Sequence, residues 1–242
     1  MTIGDFIWTD LSSYDVPAAR ADYGRLFGWA YERGDGYDFA MIGDAPVAGL
    51  FQMPAFLARR DMPSFWMSYV HVTQLEESLD RARAHSGAIV EVEPQPFDTN
   101  ARVALLRDPS GAGFTLYEGP EIAPVAAQHG SPVTRYHHVA DLSLIQDFYR
   151  DLFQWRFEKL PGTDWTTYQV LHPDGRCIAF VEEVPEDIRG TFSYWMPCFR
   201  VSSRLAAVDT CQRDGGMHLF DLPGERVMLH DRQGAHFMVT DI

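Results

Sequence analysis

One pattern occurs twice in this chain. Tyr23-Gly24-Arg25-Leu26-Phe27-Gly28-Trp29 returns as Tyr149-Arg150-Asp151-Leu152-Phe153-Gln154-Trp155, 126 residues later. Trp66-Met67 returns as Trp195-Met196, 129 residues later. Asp108-Pro109-Ser110-Gly111 with Phe114 returns as Asp231-Arg232-Gln233-Gly234 with Phe237, 123 residues later. Three matches in one order at nearly one offset mean duplication, and a period this long makes the repeated unit a domain rather than a solenoid turn. The repeat predicts two domains, residues 1–119 and 132–242. Residues 120–131 are expected to link them, because the stretch from Gly119 to Pro132 holds three Pro, two Gly and three Ala and has no periodicity.

Composition removes several classes of function. The net charge of -14 repels nucleic acid and anionic membranes, which need clustered Lys and Arg. No apolar run reaches the ~18 residues of a membrane span. The opening residues have neither a basic region nor an apolar stretch, so no signal peptide and a cytoplasmic location are expected. Cys177, Cys198 and Cys211 are odd in number and lack CxxC spacing, which points to reduced thiols rather than a disulfide or zinc site. A small organic partner suits the chain better than a polyanion. Either a monomer or a homodimer is compatible with it.

Each half divides again. Ile7 to Ser12 reads as a strand. Asp15 and Pro17 then open a helix carrying Ala19, Tyr23, Leu26 and Phe27, which Gly28 stops. Strands follow at 38–42 and 47–52. The second quarter repeats the order: a strand at 65–72, a helix from Thr73 with Leu75, Leu79 and Ala82, then strands at 89–92, 101–107 and 113–118. In the third quarter Asp141 is expected to cap one helix bearing Leu144, Ile145, Phe148, Tyr149 and Leu152, and His172-Pro173-Asp174-Gly175 to make a hairpin turn. The fourth quarter runs from Tyr194, with a helix near 205–213. The stretches 53–64 and 182–192 read as surface connections.

Asp15, Ala18-Ala19, Asp22-Tyr23 and Leu26-Phe27-Gly28-Trp29 resemble the first motif of the vicinal oxygen chelate superfamily, the glyoxalase, bleomycin-resistance and extradiol-dioxygenase group. Asp108-Pro109-Ser110-Gly111 with Phe114-Thr115-Leu116-Tyr117-Glu118 is similar to that group's closing segment. The resemblance implies an α+β fold of four βαβββ units forming two tandem cups. It also implies a divalent metal held by His or Glu at matching places in each cup. Those places fall at Trp8, Met67 and Thr115 in the first half and at Thr134, Met196 and Met238 in the second. Trp cannot coordinate, and thioethers suit Cu(I) rather than hard divalent ions. No metal and no other cofactor is therefore expected. A slip of the alignment along the first strand would bring in Asp10, or His138 in the second half.

Side chains of a strand alternate. Trp8, Asp10, Met67, Tyr69, Thr115 and Tyr117 are thus expected to line the first cup, with His71 at a strand end and open to solvent. Tyr136, His138, Cys198 and Arg200 are expected in the second. His137 faces away from His138, so the two cannot share one ion. Apolar walls with few polar groups suit ligand binding. The expected function is metal-independent binding or sequestering of a small molecule, as in drug resistance. One alternative is an isomerase, lyase or hydrolase with Asp10 as general base. Another is a lyase or dioxygenase using a divalent metal on displaced ligands.

Overall fold

A computed structural model describes residues 2–162, 165–190 and 193–242. The end of the 182–192 connection therefore lies outside the described residues. Every quarter is a βαβββ unit. The first comprises β1 (Phe6–Ser13), α1 (Val16–Phe27), β2 (Ala30–Arg33), β3 (Tyr37–Ile42) and β4 (Ala45–Gln52), followed by the single turn α2 (Ala55–Ala58). The second has β5 (Phe65–His71), α3 (Leu75–Ala84), β6 (Ile89–Pro96), β7 (Arg102–Arg107) and β8 (Gly113–Glu118). The third has β9 (Pro132–Val139), α4 (Gln146–Phe153), β10 (Arg156–Lys159), β11 (Thr166–Leu171) and β12 (Cys177–Glu183), then α5 (Glu186–Arg189). The fourth has β13 (Trp195–Arg200), α6 (Arg204–Arg213), β14 (Met217–Leu222), β15 (Arg226–His230) and β16 (His236–Thr240).

Each half of the chain builds one eight-stranded sheet, in the orders β2-β3-β4-β1-β5-β8-β7-β6 and β10-β11-β12-β9-β13-β16-β15-β14. In every quarter the first and last strands pair in parallel, and the other pairs within the quarter are antiparallel. The short strands β2 and β10 give no signal in the sequence. Both are mostly exposed, so they carry no alternation of buried residues to detect.

Local chemistry explains the helix ends. The Asp15 carboxylate accepts the Ala18 N–H at 3.0 Å, and Gly28 closes α1 in the left-handed region at φ 70°. The single helix expected after Asp141 is instead two pieces. Asp141 accepts the N–H of Ser143, only two residues on, and so starts a 3-10 turn at Leu142–Leu144. Ile145 leaves helical geometry at φ -123°, and α4 begins after it.

The hydrophobic core is divided by quarters. One compact unit takes the residues up to Trp8 together with Ser68–Ala123 and Arg135–Trp195. Its core includes Phe114, Phe148, Tyr149, Phe153, Trp155 and Trp195. The other takes Thr9–Met67, Pro124–Thr134 and Met196–Ile242. Its core includes Tyr23, Phe27, Trp29, Trp66, Phe199 and Phe237. The repeated aromatic residues are thus packing residues, each worth about 1.5–3 kcal/mol of buried apolar surface.

A buried polar hub recurs in both units. In the first, Trp195 Nε1 donates to Tyr149 Oη at 2.7 Å, and that hydroxyl donates to Asp108 Oδ2 at 3.0 Å. Asp108 Oδ1 accepts the N–H groups of Ser110 and Ala112 at 2.8 and 2.9 Å, which fixes the turn before β8. In the second, Trp66 donates to Tyr23, Tyr23 to Asp231, and Asp231 accepts the N–H groups of Gln233 and Ala235. The hubs differ at two residues: Ser110 Oγ donates to Asp108 Oδ1 at 2.7 Å, whereas the matching Gln233 gives Asp231 only its backbone N–H. His137 Nε2 lies 3.0 Å from Asp108 Oδ2, whereas the matching position on β1 is Leu11. Burial opposes ionisation of Asp108, but bonds from His137, Ser110 and Ala112 outweigh it and hold its carboxyl below the ordinary range. Burial likewise pushes Asp231 up, and there the bonds from Ala235, Gln233 and Tyr23 offset it only in part.

No helix among the described residues is long and apolar enough to cross a membrane.

Candidate functional site

His137 and Arg135 point into the core of their unit, where Arg135 Nε donates to Ser68 Oγ at 3.2 Å. Strand alternation therefore turns Tyr136 and His138 to the opposite, inner face of the second sheet. The register on that face pairs Tyr136 with Phe180 and His138 with Glu182. The Tyr136 and Phe180 rings stack at 5.0 Å and 13°. His138 Nε2 lies 3.1 Å from Glu182 Oε2, and the two side chains are only 4 and 1% exposed. A carboxylate only accepts, so Nε2 carries the hydrogen. In the neutral ring, Nδ1 then carries a bare lone pair. Nδ1 is buried and has no hydrogen-bond partner among the described residues. Trp165 approaches the imidazole edge-on at 6.1 Å.

On the inner face of the first sheet, Asp10 is fully buried opposite Gly49 and accepts the Tyr37 hydroxyl at 3.1 Å. Tyr37 reaches across because residue 49 has no side chain: a Cβ there would lie 1.8 Å from the Tyr37 oxygen. Gly49→Ala should therefore expel the Tyr37 hydroxyl and cost about 1–3 kcal/mol through the lost hydrogen bond to buried Asp10, with Tyr37→Phe adding little on top. A double-mutant cycle by urea unfolding measures this.

Tyr69, Phe97 and Tyr117 form a separate aromatic group, with Phe97 edge-on to both tyrosines at 5.9 Å. Tyr117 Oη donates to the Pro120 carbonyl at 3.1 Å. Tyr69 pairs with Thr115, and His71 with Tyr117, as alternation predicts. His71, expected in solvent, is only 7% exposed. Its backbone N–H donates to Asp5 O and its carbonyl accepts from Gly4, so the N-terminal residues cover the strand end. Trp8 is buried on β1, and Met67 on β5.

The expected metal positions of the second half hold no better donors in space. Met238 stands where the carboxylate ligand is expected, and its thioether Sδ lies 3.8 Å from Arg226 Nη1. Cys198 is fully buried opposite Met238 on the next strand and reads as core. Among the described residues no three His, Cys, Asp or Glu side chains come together as a metal-binding group. His138 with Glu182 supplies two donors. The set does not fit the three-ligand divalent centre that the resemblance implies.

The sequence does not single out Glu182, Trp165, Tyr37 or Gly49. Glu182 could have been found only by knowing that β12 runs parallel to β9 and in which register.

No family model matches the chain. Proteins named "Putative glyoxylase CFP32" from Mycobacterium bovis and Mycobacterium tuberculosis are 26% identical to it, over 96% of this chain and 92% of theirs. Among solved structures, the Mn(II)-bound glyoxalase from Novosphingobium aromaticivorans superposes with a TM-score of 0.61 at 12% identity, covering 99% of this chain and 84% of that one. The 2,3-dioxygenase LapB from Pseudomonas sp. KL28 superposes at 0.63 with 14% identity, covering 99 and 93%. The 2,2',3-trihydroxybiphenyl 1,2-dioxygenase from Sphingomonas wittichii superposes at 0.61 with 12% identity, covering 98 and 90%. The fold is the tandem βαβββ fold of the vicinal oxygen chelate superfamily.

Proposed function

We propose that this chain, a tandem protein of the vicinal oxygen chelate fold, binds a small planar organic molecule without a divalent metal. The inner face of the second sheet is the preferred site. The observation that carries the metal-free part is the donor set: Trp8, Met67 and Thr115 stand at the expected ligand positions of the first half, and Thr134, Met196 and Met238 at those of the second. Thioethers and lone hydroxyls do not hold a hard divalent ion, and among the described residues no three His, Cys, Asp or Glu side chains come together as a metal-binding group. Stacked Tyr136 and Phe180, with Trp165 and the His138–Glu182 pair, supply aromatic walls and a few fixed polar atoms. This moves the preferred polar centre from Asp10, which is enclosed with Tyr37, to His138.

The test uses protein dialysed against EDTA, with metal content measured. Calorimetry and tryptophan fluorescence then follow 2-indanone, catechol and flavone as planar probes. At least one probe should bind the metal-free protein, with affinity unchanged within about twofold by added Mn(II) or Fe(II). Binding that appears only with metal, or metal-restored ring cleavage of catechol, would overturn the reading.

A further inference from the structure

We infer that His138 and Glu182 form a metal-free proton-transfer centre, acting on a planar carbonyl compound with an acidic hydrogen next to its carbonyl. This rests on the reading that the inner face of the second sheet binds such a molecule.

The fold does not require the pair. In the first quarter the same two register positions are Ser12 and Phe51, and that quarter forms the same unit. Burying a carboxylate and an imidazole together costs desolvation that an apolar pair would avoid. The arrangement is also directional. Glu182 takes the Nε2 hydrogen, which fixes the tautomer and aims the basic nitrogen, Nδ1, away from the carboxylate. That nitrogen is buried and has no protein partner among the described residues. An imidazole held at one nitrogen by a buried carboxylate and left unpartnered at the other is the arrangement of a general base. The aromatic groups beside it are Trp165, edge-on to the imidazole, and the Tyr136 and Phe180 rings, stacked on one another two residues along the strands, and an aromatic lining suits a planar ligand.

The step balances without an oxidant or a second substrate. Nδ1 takes the hydrogen of the carbon next to the carbonyl as a proton. The C–H electron pair becomes the C=C bond of an enolate, with the charge on the carbonyl oxygen. The imidazolium is stabilised by the Glu182 carboxylate, exchanges its Nδ1 proton with solvent, and returns a solvent-derived proton to carbon. Repeated in heavy water, the cycle replaces hydrogen by deuterium. His138 touches the reacting atom, and Glu182 is a positioning residue acting through it.

The test is exchange of the hydrogens of 2-indanone in heavy water, followed by proton NMR on the metal-free full-length chain. Saturation-transfer spectra of the same sample report binding. The wild type should exchange well above the buffer rate. His138→Gln should lower the protein-dependent rate, compared at equal fractions of bound probe, at least about 100-fold, the lower range for a positioned base. His138→Ala should regain exchange when imidazole is added, which a structural role would not produce. Glu182→Gln keeps an oxygen for Nε2 and should lower the rate about 10-fold or more while changing affinity less than threefold. A bound probe that exchanges at the buffer rate, or equally in the His138 variants, overturns the proton-transfer centre and leaves the binding reading standing. A probe that neither binds nor exchanges contradicts both.

Discussion

Asp108→Asn is expected to destabilise the protein by about 3–5 kcal/mol at pH 7, the cost of breaking a buried hydrogen-bonded pair by removing one partner. The equivalent Asp231→Asn should cost no more than about 1.5 kcal/mol. Urea unfolding of both variants measures the contrast. Asp108 Oδ2 receives hydrogen bonds from Tyr149 and His137, and an amide nitrogen there would face two donors. Asp231 Oδ2 receives the Tyr23 hydroxyl, and Leu11 stands where His137 would be. The pH dependence should differ in sign. The Asp108 carboxyl is lowered in the folded state from its ordinary 3.8, so its contribution is present above that value and lost as pH falls through the folded value. The Asp231 carboxyl is raised from 3.8, so its contribution is present below that value and lost as pH rises through the folded value. Burial works against the charged form of Asp231, and a neutral amide removes that opposition. Equal losses for the two variants would refute this account of the hubs.

Gly130→Ala should cost about 2–4 kcal/mol, and Gly4→Ala about the same. Both residues sit in the left-handed region, at φ 84° and 88°. Gly130 accepts the Trp29 indole N–H at its carbonyl, and Gly4 accepts that of Trp155, at 3.0 and 3.1 Å. A Cβ on Gly130 would lie 2.6 Å from the Phe27 carbonyl oxygen and 2.9 Å from the Trp29 nitrogen; on Gly4 it would lie 2.8 Å from the Trp155 nitrogen. Gly36 is the control. Its φ is 81°, but nothing lies within 4 Å of where a methyl would stand, so Gly36→Ala should show only the backbone penalty of about 1–2 kcal/mol. Thermal and urea unfolding of the three variants separates steric overlap from backbone strain. A Gly130 variant no worse than the Gly36 variant would contradict it.

These two glycines show where the sequence stops being legible. The strong repeat, Tyr23 with Tyr149 and Trp66 with Trp195, is readable because large buried aromatics are hard to replace without leaving a cavity. Gly4 and Gly130 repeat as well, 126 residues apart, but a lone glycine has too little sequence signal to be paired across that distance. The stretch from Gly119 to Pro132 reads as a linker because it lacks periodicity. Its end is nonetheless held by non-local bonds, from Gly130 N–H to Arg200 O and from Arg200 N–H to Ser131 O. Capping residues and apolar spacing place the helices, except where Asp141 takes a nearer N–H and splits the third-quarter helix.

For the site, alternation puts Tyr136 and His138 on one face and His137 on the other, because period two is a local property. The partners cannot be read in this way. Tyr37 reaches Asp10 only because residue 49 is glycine, and Glu182 meets His138 only through a parallel register set 44 residues away. Local pattern thus identifies which side chains share a face. Which of them touch depends on strand pairing that the sequence does not encode locally.

The central claim is that the inner face of the second sheet holds a planar organic molecule and no divalent metal. Its most direct test is diffraction from crystals soaked together in 2-indanone and Mn(II), with anomalous data collected at the manganese edge. The expected result is density for the planar ligand beside His138 Nδ1 and no manganese peak on that face. A manganese peak bound by His138 and Glu182, or at the Met196 and Met238 positions, would contradict it.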